Sequence, residues 1–331
     1  MYQNWSEKLK ASIDSIQDEQ SFREFLKVNK LEGISFNGHP DSKDSIALNL
    51  KTFPSKVSRT CTNNLFDAQL LWEENTSFTE ANLVSPTYIH NAGGDILSET
   101  IYALYFGNKI LEQNTVNQLN FAFSCDANIF HNIIKLRTFR YLWEYTLEQL
   151  NLDTNFQIIA YPSLREQSVL DIENNMLRLT TSTMGAILGG ADIIQGINYD
   201  QLAQNEVNPV AQRQNENCFE ILTGESFLAQ VKDPANGSYA IEDGCAQLIE
   251  AIRTTWGQYK DLEVNDFINA MKELCLDKYN QRILALRENK KFQTGVNLYR
   301  GEKSKLQNEF KSSSKHFPIR RWAIDFEEEE K

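Results

Sequence analysis

Little in this chain is basic, cysteine-paired or membrane-like. Lys and Arg number 33 against 45 Asp and Glu in 331 residues, a net charge of −12. That balance repels phosphate backbones and anionic lipid heads, so neither nucleic acid nor a membrane surface is an expected partner. The cysteines, at 61, 125, 218, 245 and 275, include no CxxC pair. They read as thiols of a reducing compartment, not as a disulfide frame or zinc site, and they place the protein in the cytoplasm. The most apolar stretch, 184–194, includes Asp192 and falls well short of the roughly 20 residues a bilayer-spanning helix needs. No apolar leader opens the chain. With 7 prolines and 15 glycines, collagen-like and low-complexity classes are excluded.

What is present is rhythm. Residues 5–28 carry Trp5, Leu9, Ile13, Ile16, Phe22, Phe25 and Leu26 at helical spacing. A polar, irregular stretch follows over 31–58, and 63–74 suits a short helix. From Leu83 onward short apolar runs alternate with helical ones. Strands are expected at 83–89, 119–124, 156–161 and 191–197, and helices at 96–111, 127–150 and 172–188. Further helices are expected at 207–224, 241–259, 264–274 and 277–288, before a polar tail from Gly301 that ends in a frayed acidic run. Repeated strand–helix units indicate a parallel α/β sheet. Their number suggests a (β/α)8 TIM barrel, with a doubly wound open sheet as the alternative.

Isolated residues supply no reaction. The four histidines, at 39, 90, 131 and 316, lack partners at metal-ligand spacing, and no phosphate-binding, nucleophile-elbow or zinc-protease motif occurs. His131 reads as a packed or capping residue near a helix start. Gly185, Gly189 and Gly190 read as a helix end and tight turn. Asp233-Pro234-Ala235-Asn236-Gly237 reads as a stabilising loop.

A set of blocks in order resembles the methylmalonyl-CoA mutase family. Glu173-Asn174-Asn175-Met176-Leu177-Arg178, followed by Leu188-Gly189-Gly190-Ala191-Asp192, carries the resemblance first. Leu31-Glu32-Gly33-Ile34 is similar to that family's early EGI segment. Ala92-Gly93-Gly94 with Glu99 is similar to its "AGA…QEL" helix start, with Ser98 in place of Gln. Lys135-Leu136-Arg137 with Leu142-Trp143, Arg213 with Asn217, and Glu225-Ser226 match further blocks. So do Asp233 through Glu242, and Arg321-Trp322-Ala323 with Phe326-Glu327. The match covers most of 83–300.

The resemblance implies a barrel through which a CoA ester threads, capped by a separate cobalamin domain, and a radical 1,2-rearrangement whose radical the cofactor supplies. It also implies where this chain departs. The family's active-site His falls at Gln195, which can donate a hydrogen bond but cannot act as a general acid. The strand end that holds substrate carboxylate and CoA falls on 157–163, which lacks its Arg and His. Tyr161 is expected to plug the former channel. Arg213 is expected to be a structural ion-pair partner and not a CoA contact, and Glu216 replaces the family's second Arg. The segment between Pro54 and Val84 is short, and the loop bearing the family's substrate-contacting Tyr has no counterpart. The cobalamin signature Asp-x-His-x-x-Gly is missing: His90-Asn91-Ala92-Gly93 gives HxxG, but Tyr88 stands where Asp must be.

These readings combine into one expectation. Residues 1–60 form a helical and extended arm for a subunit interface, 61–300 a mutase-type barrel without a cobalamin-binding domain, and 301–331 a polar tail. The chain is expected to be the noncatalytic small subunit of a heterodimeric mutase. It has no catalytic residue and binds no cofactor or metal itself, while its partner, the catalytic α subunit, holds adenosylcobalamin. Gln195, Tyr161 and Arg213 are the candidates for a vestigial pocket. The alternatives are an active acyl-CoA mutase barrel served by a cobalamin domain on another chain, and a stand-alone acyl-CoA binding barrel.

Overall fold

The computed structural model describes residues 27–31, 34–37, 48, 50–54, 56–61, 83–113, 116–204, 206–307, 309–310 and 314–329. Two sheets form. A hairpin-like pair, β1 (Lys27–Leu31) and β2 (Ile34–Asn37), is antiparallel. The helix expected over 5–28 lies outside the described residues except for Lys27 and Val28, which open β1. The helix expected over 63–74 also lies outside them.

The main sheet is wholly parallel. Its strands are β3 (Ser58–Cys61), β4 (Leu83–Val84), β5 (Asn120–Cys125), β6 (Ile158–Pro162) and β7 (Ile193–Gly196), in the order β3-β7-β6-β5-β4. Neighbouring strands from β4 to β7 follow the chain without reversal, and the earliest strand sits beside the latest. That order is the one a singly wound (β/α)8-type fold produces, whereas a doubly wound sheet reverses direction at its centre.

Helices connect and cover the strands: α1 (Thr87–Asn91), α2 (Ile96–Gln113), α3 (Ile129–Gln149), α4 (Glu173–Gly189) and α5 (Pro209–Glu220). A π-helical turn, Ile221–Glu225, continues α5, and α6 (Tyr239–Trp256), α7 (Val264–Arg287) and α8 (Ile324–Glu328) follow. Caps explain several starts. The side chain of Asn128 accepts the His131 N–H at the start of α3, and Asn208 accepts the Val210 N–H with Pro209 in the first turn of α5. At α2, Asp95 accepts the Ser98 N–H while the Ser98 hydroxyl accepts the Asp95 N–H, both at 2.9 Å. That reciprocal pair satisfies two otherwise orphaned donors, as a capping box does. Gly190 ends α4 with φ +84°, as a tight turn into β7 requires.

Two sequence expectations change. The strand expected over 83–89 is only two residues long, because Pro86 sets up the turn that starts α1. The two helices expected over 264–288 are one, since no Gly or Pro interrupts Cys275-Leu276-Asp277.

The core lies between β5 and its covering helix. Phe121 packs on Phe139 and Trp143 with centroids 4.6 and 4.7 Å apart, and Phe123 on Phe139 at 4.8 Å. Each such buried aromatic contributes about 1.5–3 kcal/mol by leaving water. A second cluster gathers Leu170, Ile283, Leu286, Val296, Trp322, Ala323 and Phe326. It draws the expected frayed tail into the molecule. The Trp322 N–H bonds the Arg165 carbonyl at 2.9 Å, and Arg321 grips Glu327 through two bonds of 2.7 and 2.8 Å. Among the described residues no helix is long and apolar enough to cross a membrane.

Candidate functional site

The C-terminal ends of β4, β5 and β6 carry the chemistry-bearing side chains, where parallel α/β sheets place their sites. After β4, α1 delivers His90. After β6 come Ser163, Arg165 and Glu166. His90 Nδ1 lies 2.8 Å from Glu99 Oε1, and its Nε2 lies 2.8 Å from Ser163 Oγ. Burial, then Arg165 and Lys135, holds the imidazole well below its ordinary pKa. A neutral ring has one donor and one acceptor. Since Glu99 also takes a proton donor from Lys135 at 2.8 Å, Nδ1 donates to Glu99 and Nε2 accepts the Ser163 hydroxyl. Burial pushes Glu99 up to about 7 against the opposing pull of Lys135 and Arg165.

Hydroxyl, imidazole and carboxylate thus stand in the order of a nucleophilic triad. The three are sealed, however, and line no part of the neighbouring cavity. They act as a brace between α1, α2 and the end of β6. Both ring nitrogens of His90, the histidine of the HxxG stretch, are engaged within the chain, so it presents no lone pair to a cobalt ion. Among the described residues no group of three or more His, Cys, Asp or Glu could hold a metal.

Two of the three sequence-derived candidates come together. Register pairs Ile159 with Ile193 and Ala160 with Ile194. One step further sets Tyr161 opposite Gln195, with Ser124 opposite Tyr161 on the other side. Phe121 and Phe123 face α3, so the alternate positions Ser124, Tyr161 and Gln195 share the opposite face of the sheet. All three are buried. Burial raises the Tyr161 phenol above its ordinary value, keeping it protonated. Phenol and carboxamide together can fill space and share hydrogen bonds, but neither exchanges a proton near neutral pH. Arg213 is elsewhere: it lies on α5 and is exposed.

Sequence reasoning missed a cavity of about 360 Å³ on the same edge of the sheet. Asp126, His131 and Glu166 form one wall, and Lys278, Arg282 and Lys291 reach it from α7 and beyond. His131, expected as a packed or capping residue, is buried and lines the cavity, while the α3 cap is supplied by the Asn128 side chain, which accepts the His131 backbone N–H. Burial would raise the Asp126 carboxyl, but Arg165 foremost, then His90, His131 and Lys135, pulls it down to about 2. Glu166, raised by burial and by Asp126, rests at about 7 and accepts the Ala127 N–H at 2.7 Å. The available signal was position, since Asp126 and Arg165-Glu166 follow strand ends directly.

The blocks that carry the resemblance meet one another inside the fold. Lys135 pairs with Glu99. Arg137 pairs with Glu242 at 2.8 Å and with Asp233, so the Asp233 loop is stabilising, as expected. Arg321 pairs with Glu327, and Asp192 takes both Arg140 at 2.6 Å and the Ile158 N–H at 2.8 Å. Asn175 secures the turn before α4 by accepting the Ser168 N–H and donating to the Ser168 carbonyl. What is shared is therefore scaffold. Comparison with known proteins agrees with it. The family model described as methylmalonyl-CoA mutase matches residues 47–321. The small subunit from Porphyromonas gingivalis is 30% identical over 48% of this chain and 28% of its own length. The small subunit from Streptomyces virginiae is 30% identical over 54% of this chain and 30% of its own. A methylmalonyl-CoA mutase from Rhizobium meliloti is 27% identical over 66% of this chain and 33% of its own. The chain thus spans about a third of the length of these relatives. With its motif residues joined into one scaffold and 47–321 matched throughout, the chain belongs to the methylmalonyl-CoA mutase family and resembles that family's small subunits.

Proposed function

We propose that this chain is the noncatalytic small subunit of a heterodimeric, adenosylcobalamin-dependent methylmalonyl-CoA mutase. Its partner, the catalytic α subunit, holds the cofactor and interconverts methylmalonyl-CoA and succinyl-CoA, and this chain stabilises that partner by burying part of its surface. The observation that carries the reading is the inner face of the sheet. Gln195 sits beside Tyr161 there, and none of Ser124, Ile159, Tyr161, Ile193 and Gln195 can grip a carboxylate or donate a proton as an acid. The resemblance to proteins named as small subunits supports the same reading. The complex works in the cytoplasm, in keeping with Cys125, Cys218, Cys245 and Cys275 being free thiols.

The test is turnover of methylmalonyl-CoA with adenosylcobalamin by this chain, by the matching α subunit, and by both mixed. Activity only where the α subunit is present, with co-elution of the two chains on sizing, is the expected result. Turnover by this chain with an isolated cobalamin-domain protein would overturn it.

A further inference from the structure

The loop between the π-helical turn and α6 is anchored at its base and bare at its tip. At the base Ala235 is buried, Asp233 pairs with Arg137, and the Asn236 N–H bonds the Asp233 carbonyl at 3.0 Å. At the tip Asn236, Gly237 and Ser238 are exposed. The Ser238 N–H bonds the Ala235 carbonyl at 3.1 Å and Gly237 has φ +76°, the pattern of a type II turn centred on Asn236 and Gly237. The sequence holds two Asn-Gly pairs, and only this one lies wholly within the described residues. Glycine carries no Cβ to shield its peptide nitrogen from the side chain before it, and a Cβ built at Gly237 would meet nothing within 4 Å.

That nitrogen is engaged. The Gly237 N–H donates to Glu242 Oε1 at 3.0 Å. Glu242, buried on α6, also accepts from Arg137 at 2.8 Å and, through Oε2, from the Leu48 N–H at 2.8 Å. One carboxylate thus ties the tip of this loop to α3 and to the segment that precedes β3. A hydrogen bond to a charged acceptor is one of the stronger kinds, and an amide held in it is withdrawn from attack on its neighbour.

We propose that Asn236 is a site of spontaneous covalent modification, converting to aspartate and isoaspartate in the folded chain at a rate set by how often Glu242 releases the Gly237 N–H. The released amide loses its proton to solvent, and its nitrogen attacks Cγ of Asn236. The new N–Cγ bond closes a succinimide ring, the Cγ–Nδ2 bond breaks, and the nitrogen leaves as ammonia with a proton returned from solvent. Water then opens the ring. Attack at Cγ gives aspartate in the ordinary backbone, and attack at the main-chain carbonyl carbon gives isoaspartate, with the chain routed through the side chain. Isoaspartate adds one carbon to the backbone of the turn, and either product adds a negative charge to a loop that already sets Asp233 and Glu242 around Arg137. The tie from Glu242 to Leu48 is thereby loosened as the chain ages. The proposal is independent of the subunit reading, since it concerns the chain without its partner.

Peptide mapping by mass spectrometry tests it on the full chain, incubated folded and in urea at the same neutral pH, with isoaspartate read by enzymatic methylation. The expected result is conversion at Asn236 in the folded chain, slower than in urea by about tenfold or more, the factor that one hydrogen bond to a charged group supplies. Hydrogen exchange at the Gly237 amide is the second readout. Exchange and attack wait for the same opening, so the protection factor matches the ratio of the two conversion rates. Glu242→Gln keeps an acceptor but not the charge and speeds both exchange and conversion in the folded chain. If that variant fails to fold, the match between exchange and conversion decides alone. No conversion at Asn236 in the folded chain while the urea sample converts fully overturns the proposal, and so do equal rates in the two states. A protection factor far from the rate ratio overturns the role of Glu242. The converted fraction, resolved by its added charge on ion exchange, is expected to unfold at a lower Tm, and an equal Tm overturns the loosening.

Discussion

Lys135 Nζ donates to Glu99 Oε2 across 2.8 Å at a point where both side chains are sealed from solvent, and the other Glu99 oxygen holds His90. Burial would lower the Lys135 pKa, but Glu99, Cys125 and Asp126 together outweigh it and the net shift is upward. Removing one partner leaves a buried, uncompensated charge, which costs about 3–5 kcal/mol. Lys135→Met is expected to lower stability by about that much in urea unfolding. Lys135→Met combined with Glu99→Leu is expected to lose less than the two single changes added together. Additive losses would mean that the pair carries no coupling.

Stability should fall as pH rises toward neutrality. Burial places both Glu99 and Glu166 at about 7 in the folded chain, above the ordinary value of 4.5. A carboxyl raised on folding adds stability that is fully present below its unfolded pKa and lost as pH passes its folded one. The window is therefore about pH 4.5 to 7. Asp126, held at about 2, works in the opposite sense: its contribution is present above about 3.8 and lost as pH falls toward 2. Denaturant titrations at pH 5, 6, 7 and 8 check this. Glu166→Gln keeps an acceptor for the Ala127 N–H and is expected to flatten the slope.

Gly93 admits no side chain. Its φ is +113°, and a Cβ there would lie 2.7 Å from both the Cys275 carbonyl oxygen and Tyr279 Cβ. Gly93→Ala combines backbone strain with overpacking against α7 and is expected to cost about 2 kcal/mol or more. Gly224 has open space around its Cβ position, so Gly224→Ala serves as the near-neutral control. Comparable Tm losses in the two variants would refute the close approach of α1 and α7.

Gln195→Ala and Tyr161→Phe are expected to leave turnover of the mixed complex unchanged. Both side chains fill a closed face and touch no reacting group in the proposed assembly. Loss of turnover in either variant, with co-elution of the subunits intact, would place substrate on this chain.

Much of the fold was legible because periodicity survives wherever one face is buried. The α3 and α4 helices and the β5, β6 and β7 strands lie within one or two residues of their expected ends. Misreadings arose where local chemistry overrode the apolar pattern. Pro86 cut a seven-residue apolar run to a two-residue strand, and the polar Asp277 hid the continuity of α7. At the candidate site, strand alternation put Tyr161 and Gln195 within reach of sequence reasoning, since both lie on paired strands. Arg213 fell away because a matching block fixes a helix, not the direction in which its side chain points. The cavity was illegible for a different reason. Asp126, Glu166, Arg282 and Trp322 come from distant parts of the chain, and only the parallel sheet brings them to one edge.

The place of β3 beside β7 has a kinetic consequence. The Ser58 hydroxyl and the Asp192 carbonyl that meet at this seam are separated by 134 positions, so the seam forms only after a very long loop has closed. Closure entropy grows slowly with loop length, by about 0.6 kcal/mol per doubling, yet it must be met before the contact gives anything back. The neighbouring pairs β5–β6 and β6–β7 each span one helix, and β4–β5 spans the two helices α1 and α2. They can assemble in chain order as synthesis proceeds, and β3 docks last onto a sheet edge already in place. Until it does, the edge of β7 is open to pairing with another chain.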